Sequence, residues 1–182
     1  MKGEAVEPTQ YETVVMTQIG HGSAGRGADS VRVTTVLGER DGTVGIAWAT
    51  AVATPSLGHS PFVVTAKPNL PVVPVTLLVP AVGVSDQRHA DLTLGAAQAG
   101  VAAAVLDLQM DDPDGDHCLI VSVWVDPKAE AEEVIFAHTR DATMSALKQG
   151  AAGGPWHPNL VAVETPENEY FRRPGGPTVL GA

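Results

Sequence analysis

The apolar positions of this chain fall into short β-branched runs and one long alanine-rich run. From residue 94 to 106 every residue is apolar or glycine except Gln98, which suits a helix buried over most of its circumference. Leu94, Ala97, Val101, Ala104 and Leu108 recur at three- and four-residue steps and so share one predicted face. Ser85 is placed to cap this helix, with Asp86 in its first turn. Gln98 is the polar exception. A buried amide loses water at two donors and an acceptor, at a cost of roughly a few kcal/mol unless partners replace it. Its expected partner is backbone, as for most interior amides, or a ligand.

Around that helix the pattern alternates between strand and helix signals. Residues 13–19 and 30–37 are rich in β-branched side chains and read as two strands joined by a glycine-rich loop over 20–29. Residues 43–53 carry Val44, Trp48, Ala51 and Val52 near helical spacing and end before Pro55, predicting a short helix. Residues 62–66 read as a strand. Residues 72–79 read as another, placed at an edge or bulged because Pro71, Pro74 and Pro80 cannot donate to a central ladder. After a solvated turn over 111–117, residues 118–125 form a continuous apolar strand. Asp126 and Pro127 then signal a helix N-terminus, with Glu130, Glu132 and Glu133 in its opening turns and Lys148 and Gly150 closing it. Residues 160–163 are a possible last strand in this reading, and 1–11 and 165–182 read as tails. The expected organisation is one domain over 12–164, of the α/β type with a mixed sheet and helices packed on one side.

Composition narrows the function. At 182 residues the chain can bury a substantial core. A net charge of −10 disfavours a nucleic-acid partner, since nothing offsets phosphate repulsion. The single cysteine, Cys118, excludes an intrachain disulfide framework and fits a reducing compartment. Acids near the start stand where a signal peptide would have its apolar run, so a cytoplasmic location is expected. The apolar run over 70–84 is too short for a membrane span and is cut by three prolines, so no membrane partner is expected.

Few residues carry obvious chemistry. Gly20, Gly22 and Gly25 spell a G-x-G-x-x-G, but a β-like segment follows where a dinucleotide site needs a helix. The serine at 23 lacks the glycine two residues earlier that a nucleophile elbow requires. No two histidines show a metal spacing, so no metal is expected. The acids of 111–117 lack the glycine position and closing glutamate of a calcium loop. His138 shares a helical face with Ala131, Ile135 and Ala142 and reads as packed. His21 lies in the predicted glycine loop, where small neighbours let a ligand approach the backbone.

One stretch supports a resemblance. Pro68-Asn69-Leu70-Pro71-Val72, then Pro74 and Thr76, then Gly95-Ala96-Ala97-Gln98 opening an alanine and valine helix, resemble the formaldehyde-activating enzyme family. Without a gap the resemblance runs from about Gly20 to Val105, and more loosely through the strand and helix over 119–148. It implies a fold similar to the second domain of ribosomal protein S5, and a homopentamer with its cleft between subunits. The implied reaction condenses formaldehyde with tetrahydromethanopterin to the methylene derivative, so that an active chain would be a carbon–nitrogen lyase of the hydro-lyase type.

The residue carry-over is incomplete. The family's proposed acid, a histidine, falls on Arg32, and the aspartate two residues later falls on Thr34. Its lysine and threonine after the proline segment fall on Ala81 and Gly83, its pterin-contacting leucine falls on Val63, and its glutamine is retained as Gln98. Arginine stays protonated near neutral pH and cannot replace the acid, but it suits a carboxylate or phosphate. It also alternates with Val31 and Val33 as a wet-face strand residue would.

Three functions follow. The first is a divergent one-carbon enzyme that handles formaldehyde or another small aldehyde with an amine or a tetrahydromethanopterin-like carrier. The carrier would be a substrate, not a tightly bound cofactor. Arg32 and His21 are its candidate catalytic residues, and Gln98, Thr34 and Val63 its candidate ligand contacts. The second is an altered or inactive homologue that binds an acidic small molecule through Arg32. The third is a scaffold recruited to a different biosynthetic reaction.

Overall fold

The computed structural model describes residues 17–55, 60–110, 112–153 and Asn168. The expected tails, the start of the first strand at 13–16, the possible strand at 160–163, and His59 and His157 lie outside these residues. A five-stranded mixed sheet is the backbone of the fold, in the order β1-β2-β7-β6-β3. Its strands are β1 (Gln18–Ala24), β2 (Val31–Glu39), β3 (Phe62–Val63), β6 (Val75–Pro80) and β7 (His117–Val125). β1, β2 and β7 run antiparallel in turn, β6 is parallel to β7, and β3 is antiparallel to β6. A small hairpin of β4 (Thr65–Lys67) and β5 (Leu70–Pro71) stands beside the sheet.

Strand alternation builds the core. Val31, Val33 and Leu37 of β2 and Leu119, Val121, Val123 and Val125 of β7 are buried on one face. They meet Leu92, Val101 and Val105 from the alanine-rich stretch and Ile135, Ala142 and Ala146 from α4 (Glu132–Ala152). Each fully buried Val, Leu or Ile contributes about 1.5–3 kcal/mol of transfer free energy. The predicted α/β class with a mixed sheet is therefore observed. α1 (Thr43–Ala53), whose limits agree with the sequence reading, packs on β2 and β7 and sets Val44 against Gly38. Gly38 has the parity of Arg32 and Thr34, so α1 covers one end of the opposite face.

Several expectations are corrected. Residues 20–24 belong to strand β1 and not to a loop. Their glycines serve close packing, since a Cβ at Gly20 would overlap the Ala146 carbonyl and one at Gly22 the Ala142 carbonyl of α4. β6 is an interior strand, not an edge, because Pro71 and Pro74 precede it and Pro80 is its last residue. The 62–66 strand is split at Val64, which donates to the Thr76 carbonyl and accepts from the Val72 amide.

The long helix is a composite of α2 (Gln87–Ala90), a π-helical segment (Asp91–Ala97) and α3 (Gln98–Asp107). Asp86, not Ser85, caps it, accepting from the His89 amide at 2.9 Å. The wide turns rotate the preceding residues, so Leu92 and Thr93 are buried and Leu94 is left 44% exposed. Asp126 caps a tight turn through the Lys128 amide at 2.7 Å, and α4 begins only at Glu132. It runs past Gly150 to a left-handed Gly153. Finally, the turn before β7 is not wholly solvated. Asp112 is buried and accepts from the Asp116 and His117 amides, with His117 Nδ1 3.0 Å from its carboxylate.

Candidate active site

The face of the sheet opposite the core carries the polar side chains. Register places His21 of β1 across from Thr34 of β2, and Thr34 across from Ser122 of β7; one step along, Ser23, Arg32 and Trp124 form the next row. His21 Nδ1 lies 2.9 Å from Thr34 Oγ1, so the hydroxyl fixes which ring nitrogen it engages. The central guanidinium carbon of Arg32 lies over the Trp124 ring, 5.2 Å from its centroid, within the range of a cation–π contact.

α4 completes the site. The close approach allowed by Gly20 and Gly22 brings Gln149 to the rim, where its Oε1 accepts from the His21 backbone N–H at 2.6 Å. His21, Ser23, Arg32, Thr34, Ser145 and Gln149 line a cleft of about 760 Å³, and Asn168 also borders it. That volume is in the range of small-molecule sites and far larger than a one-carbon aldehyde needs. Among the described residues lining it there is no carboxylate.

Of the five candidate residues, three are thus brought together and two are elsewhere. Gln98 borders a separate groove of about 380 Å³ between the β4–β5 hairpin and α3, with Lys67 and Leu106. Its Nε2 donates to the Thr65 carbonyl at 2.8 Å, so the polar exception in the apolar helix has a backbone partner. Val63 is on β3, at the far edge of the sheet from β1. Trp124, Ser145 and Gln149 were not expected at the site. Trp124 alternates with buried Val123 and Val125, a detectable signal, but its pairing with Arg32 needs the β2–β7 register.

His138, His89 and Cys118 are held in the packing. His138 Nδ1 is 2.7 Å from the Asp29 carbonyl, packed as expected. Buried His89 accepts the Ser85 amide at Nδ1 and holds the Val125 carbonyl at 3.1 Å through Nε2. Burial pushes the Cys118 thiol up, against a smaller downward pull from Arg40, which keeps it protonated and inert at neutral pH. Among the described residues no group of three or more His, Cys, Asp or Glu side chains gathers as a metal site, and no helix is long and apolar enough to cross a membrane.

The sequence that builds this sheet and cleft is matched by known proteins. The family model for formaldehyde-activating enzyme (Fae) matches residues 19–171. The chain belongs to the formaldehyde-activating enzyme family. It is 36% identical over 137 residues to the bifunctional enzyme Fae/Hps of Methanocella arvoryzae, covering 72% of this chain and 35% of that protein. It is 34% identical over 145 residues to the bifunctional enzyme Fae/Hps of Methanosarcina barkeri, covering 77% of this chain and 37% of that one. The chain therefore spans little more than a third of the bifunctional relatives. To the 5,6,7,8-tetrahydromethanopterin hydro-lyase of Methanosarcina barkeri it is 28% identical over 165 residues, 88% of this chain and 93% of the relative.

Proposed function

We propose that this chain condenses a small aldehyde, formaldehyde in the simplest case, with the amines of a tetrahydromethanopterin-like carrier, and that His21 carries the proton transfer. The observation behind this reading is the His21–Thr34 pair at 2.9 Å in an open cleft on a formaldehyde-activating scaffold. In the condensation one amine adds to the carbonyl carbon and a proton reaches the oxygen, giving a carbinolamine. The hydroxyl is then protonated and leaves as water while the nitrogen lone pair forms the iminium. The second amine closes on that carbon and loses its proton. Two N–H bonds and one aldehyde become an N–CH₂–N bridge and water.

The step that needs an acid is the departure of hydroxide. Imidazole can give and take protons near neutral pH, whereas guanidinium stays charged. The Thr34 hydroxyl, 2.9 Å from Nδ1, orients the ring through which His21 exchanges a proton with the ligand. The acid that the family resemblance places on Arg32 has in this reading crossed the ladder to β1, and Thr34 has become its positioning residue. Arg32 favours the addition step, where the oxygen gains negative charge. It stands diagonally across the β1–β2 ladder from His21, about 7–8 Å away between Cβ atoms.

A ring of five subunits, as the resemblance implies, and a cytoplasmic location, as the sequence reading expects, belong to the same reading. Support comes from α1, which has no charged side chain and leaves Ile46 67% and Val52 45% exposed. Exposed apolar surface of this kind marks contact sites.

Stopped-flow mixing of formaldehyde with tetrahydromethanopterin tests the function. The native chain is expected to accelerate the condensation, and His21→Gln to lower the accelerated rate by roughly 10²–10⁴. No acceleration by the native chain, with acceleration by an Arg32→His, Thr34→Asp double variant, would show that the reaction has been lost from this scaffold.

A further inference from the structure

We propose that Gln149 is a second positioning residue for His21. By accepting the His21 backbone N–H from α4 it holds β1 where the imidazole meets Thr34, an inference that rests on the condensation reading for the chemistry His21 performs.

Three observations converge on it. The His21 N–H is taken by Gln149 Oε1 at 2.6 Å, so it points away from β2. In an antiparallel ladder a residue whose N–H points outward belongs to a non-hydrogen-bonded pair, the kind in which Cα atoms come to about 4.5 Å and side chains lie closest. His21 and Thr34 are such a pair, and the 2.9 Å contact of ring and hydroxyl follows from it.

The approach of α4 is also built at the residues on either side of the histidine. Gly20 and Gly22 leave no room for a Cβ against the Ala146 and Ala142 carbonyls, and the Cβ that Gly150 lacks would lie 3.3 Å from the Ile19 carbonyl carbon. Glycine weakens a strand. Two glycines flanking one histidine are explained by what they let in, the helix end that carries Gln149.

Finally, among the described residues β1 is the outer strand, with a ladder on one side only. A strand held on one side opens at less cost than an inner one, and a displacement of about 1 Å can cost a reacting group roughly 10²-fold in rate. Without the acceptor, β1 is released to shift against β2, and the ring moves off Thr34.

The experiment uses the full chain with Gln149→Leu, which removes the acceptor, and Gln149→Glu, which keeps one. Leucine is a good helix former, whereas a negative charge near a helix C-terminus is unfavourable. A purely structural role therefore ranks the glutamate variant below the leucine variant, and positioning ranks them the other way. With formaldehyde and tetrahydromethanopterin, Gln149→Leu is expected to lower kcat by about tenfold or more with KM for the carrier within about twofold, and Gln149→Glu to keep kcat within about threefold of native.

Two readouts need no turnover. Amide hydrogen exchange at His21 should accelerate by about tenfold or more in Gln149→Leu and stay slow in Gln149→Glu. The His21 ring nitrogen resonances should shift in Gln149→Leu, while those of His89 and His138, placed against the Val125 and Asp29 carbonyls, stay where they are. Equal kcat in the two variants, or a rise in KM alone, overturns the proposal and leaves the condensation reading in place. A native chain that accelerates no condensation, with exchange and ring signals that still follow Gln149, removes the condensation reading and leaves the clasp on His21 standing.

Discussion

His21 and Thr34 bond to each other across a strand pair at the open face of the sheet, whereas Gln98 sends its amide into the backbone of the β4–β5 hairpin. The two regions had opposite standing in the sequence. Gln98 was the retained family position, and Arg32 and Thr34 were the departures from it. In the fold the retained residue secures a hairpin, and the departed ones gather with a histidine in the larger opening. Retention of a residue type is thus weak evidence of a ligand role when backbone is within reach of the side chain. A changed residue whose new partners assemble around it is better evidence.

Substitutions can break or sharpen that contrast. The largest structural effect is expected at Gly22, where Gly22→Ala forces a methyl into the Ala142 carbonyl and pushes α4 off β1. We expect a loss of about 2–3 kcal/mol in denaturant unfolding, together with loss of the Gln149 clasp and of activity. A stable, active variant would mean that the cleft does not depend on this contact.

Gln98→Leu comes next. Leaving the Thr65 carbonyl without its donor should cost about 1–2 kcal/mol, with the rate per folded molecule almost unchanged. A tenfold rate loss in a fully stable variant would instead place Gln98 against a ligand and collapse the contrast. The smallest effect, of opposite sign, is expected three residues away. An alanine Cβ at Gly95 would meet nothing within 4 Å, so Gly95→Ala should stabilise by about 0.5–1 kcal/mol through the unfolded chain. Thermal melts would detect a shift in either direction.

Much of the scaffold was legible because its signals were local. α1 ends where Pro55 demands, and β7 follows its continuous apolar run. The errors arose where tertiary contact overrode a local signal. Gly20 and Gly22 read as loop because glycine weakens strands, yet here α4 requires their lack of a side chain. Asp126 and Pro127 read as a helix start because a tight turn uses the same cap chemistry. At the site, His21, Arg32 and Thr34 could each be nominated from sequence, but their adjacency could not. It depends on how residues 25–30 turn, and the Trp124 platform on a pairing across some ninety residues of chain. Gln149 left no sequence trace, since a glutamine near the end of a helix is ordinarily a solvated residue.

The Gln149 contact reaches beyond the cleft. Among the described residues β1 is the outer strand of the sheet, and the N–H that Gln149 accepts is one that an incoming strand would otherwise seek. Exposed strand edges of this kind template aggregation, and proteins blunt them by covering the backbone. The amide that holds His21 in register therefore also protects the folded chain against edge-to-edge polymerisation.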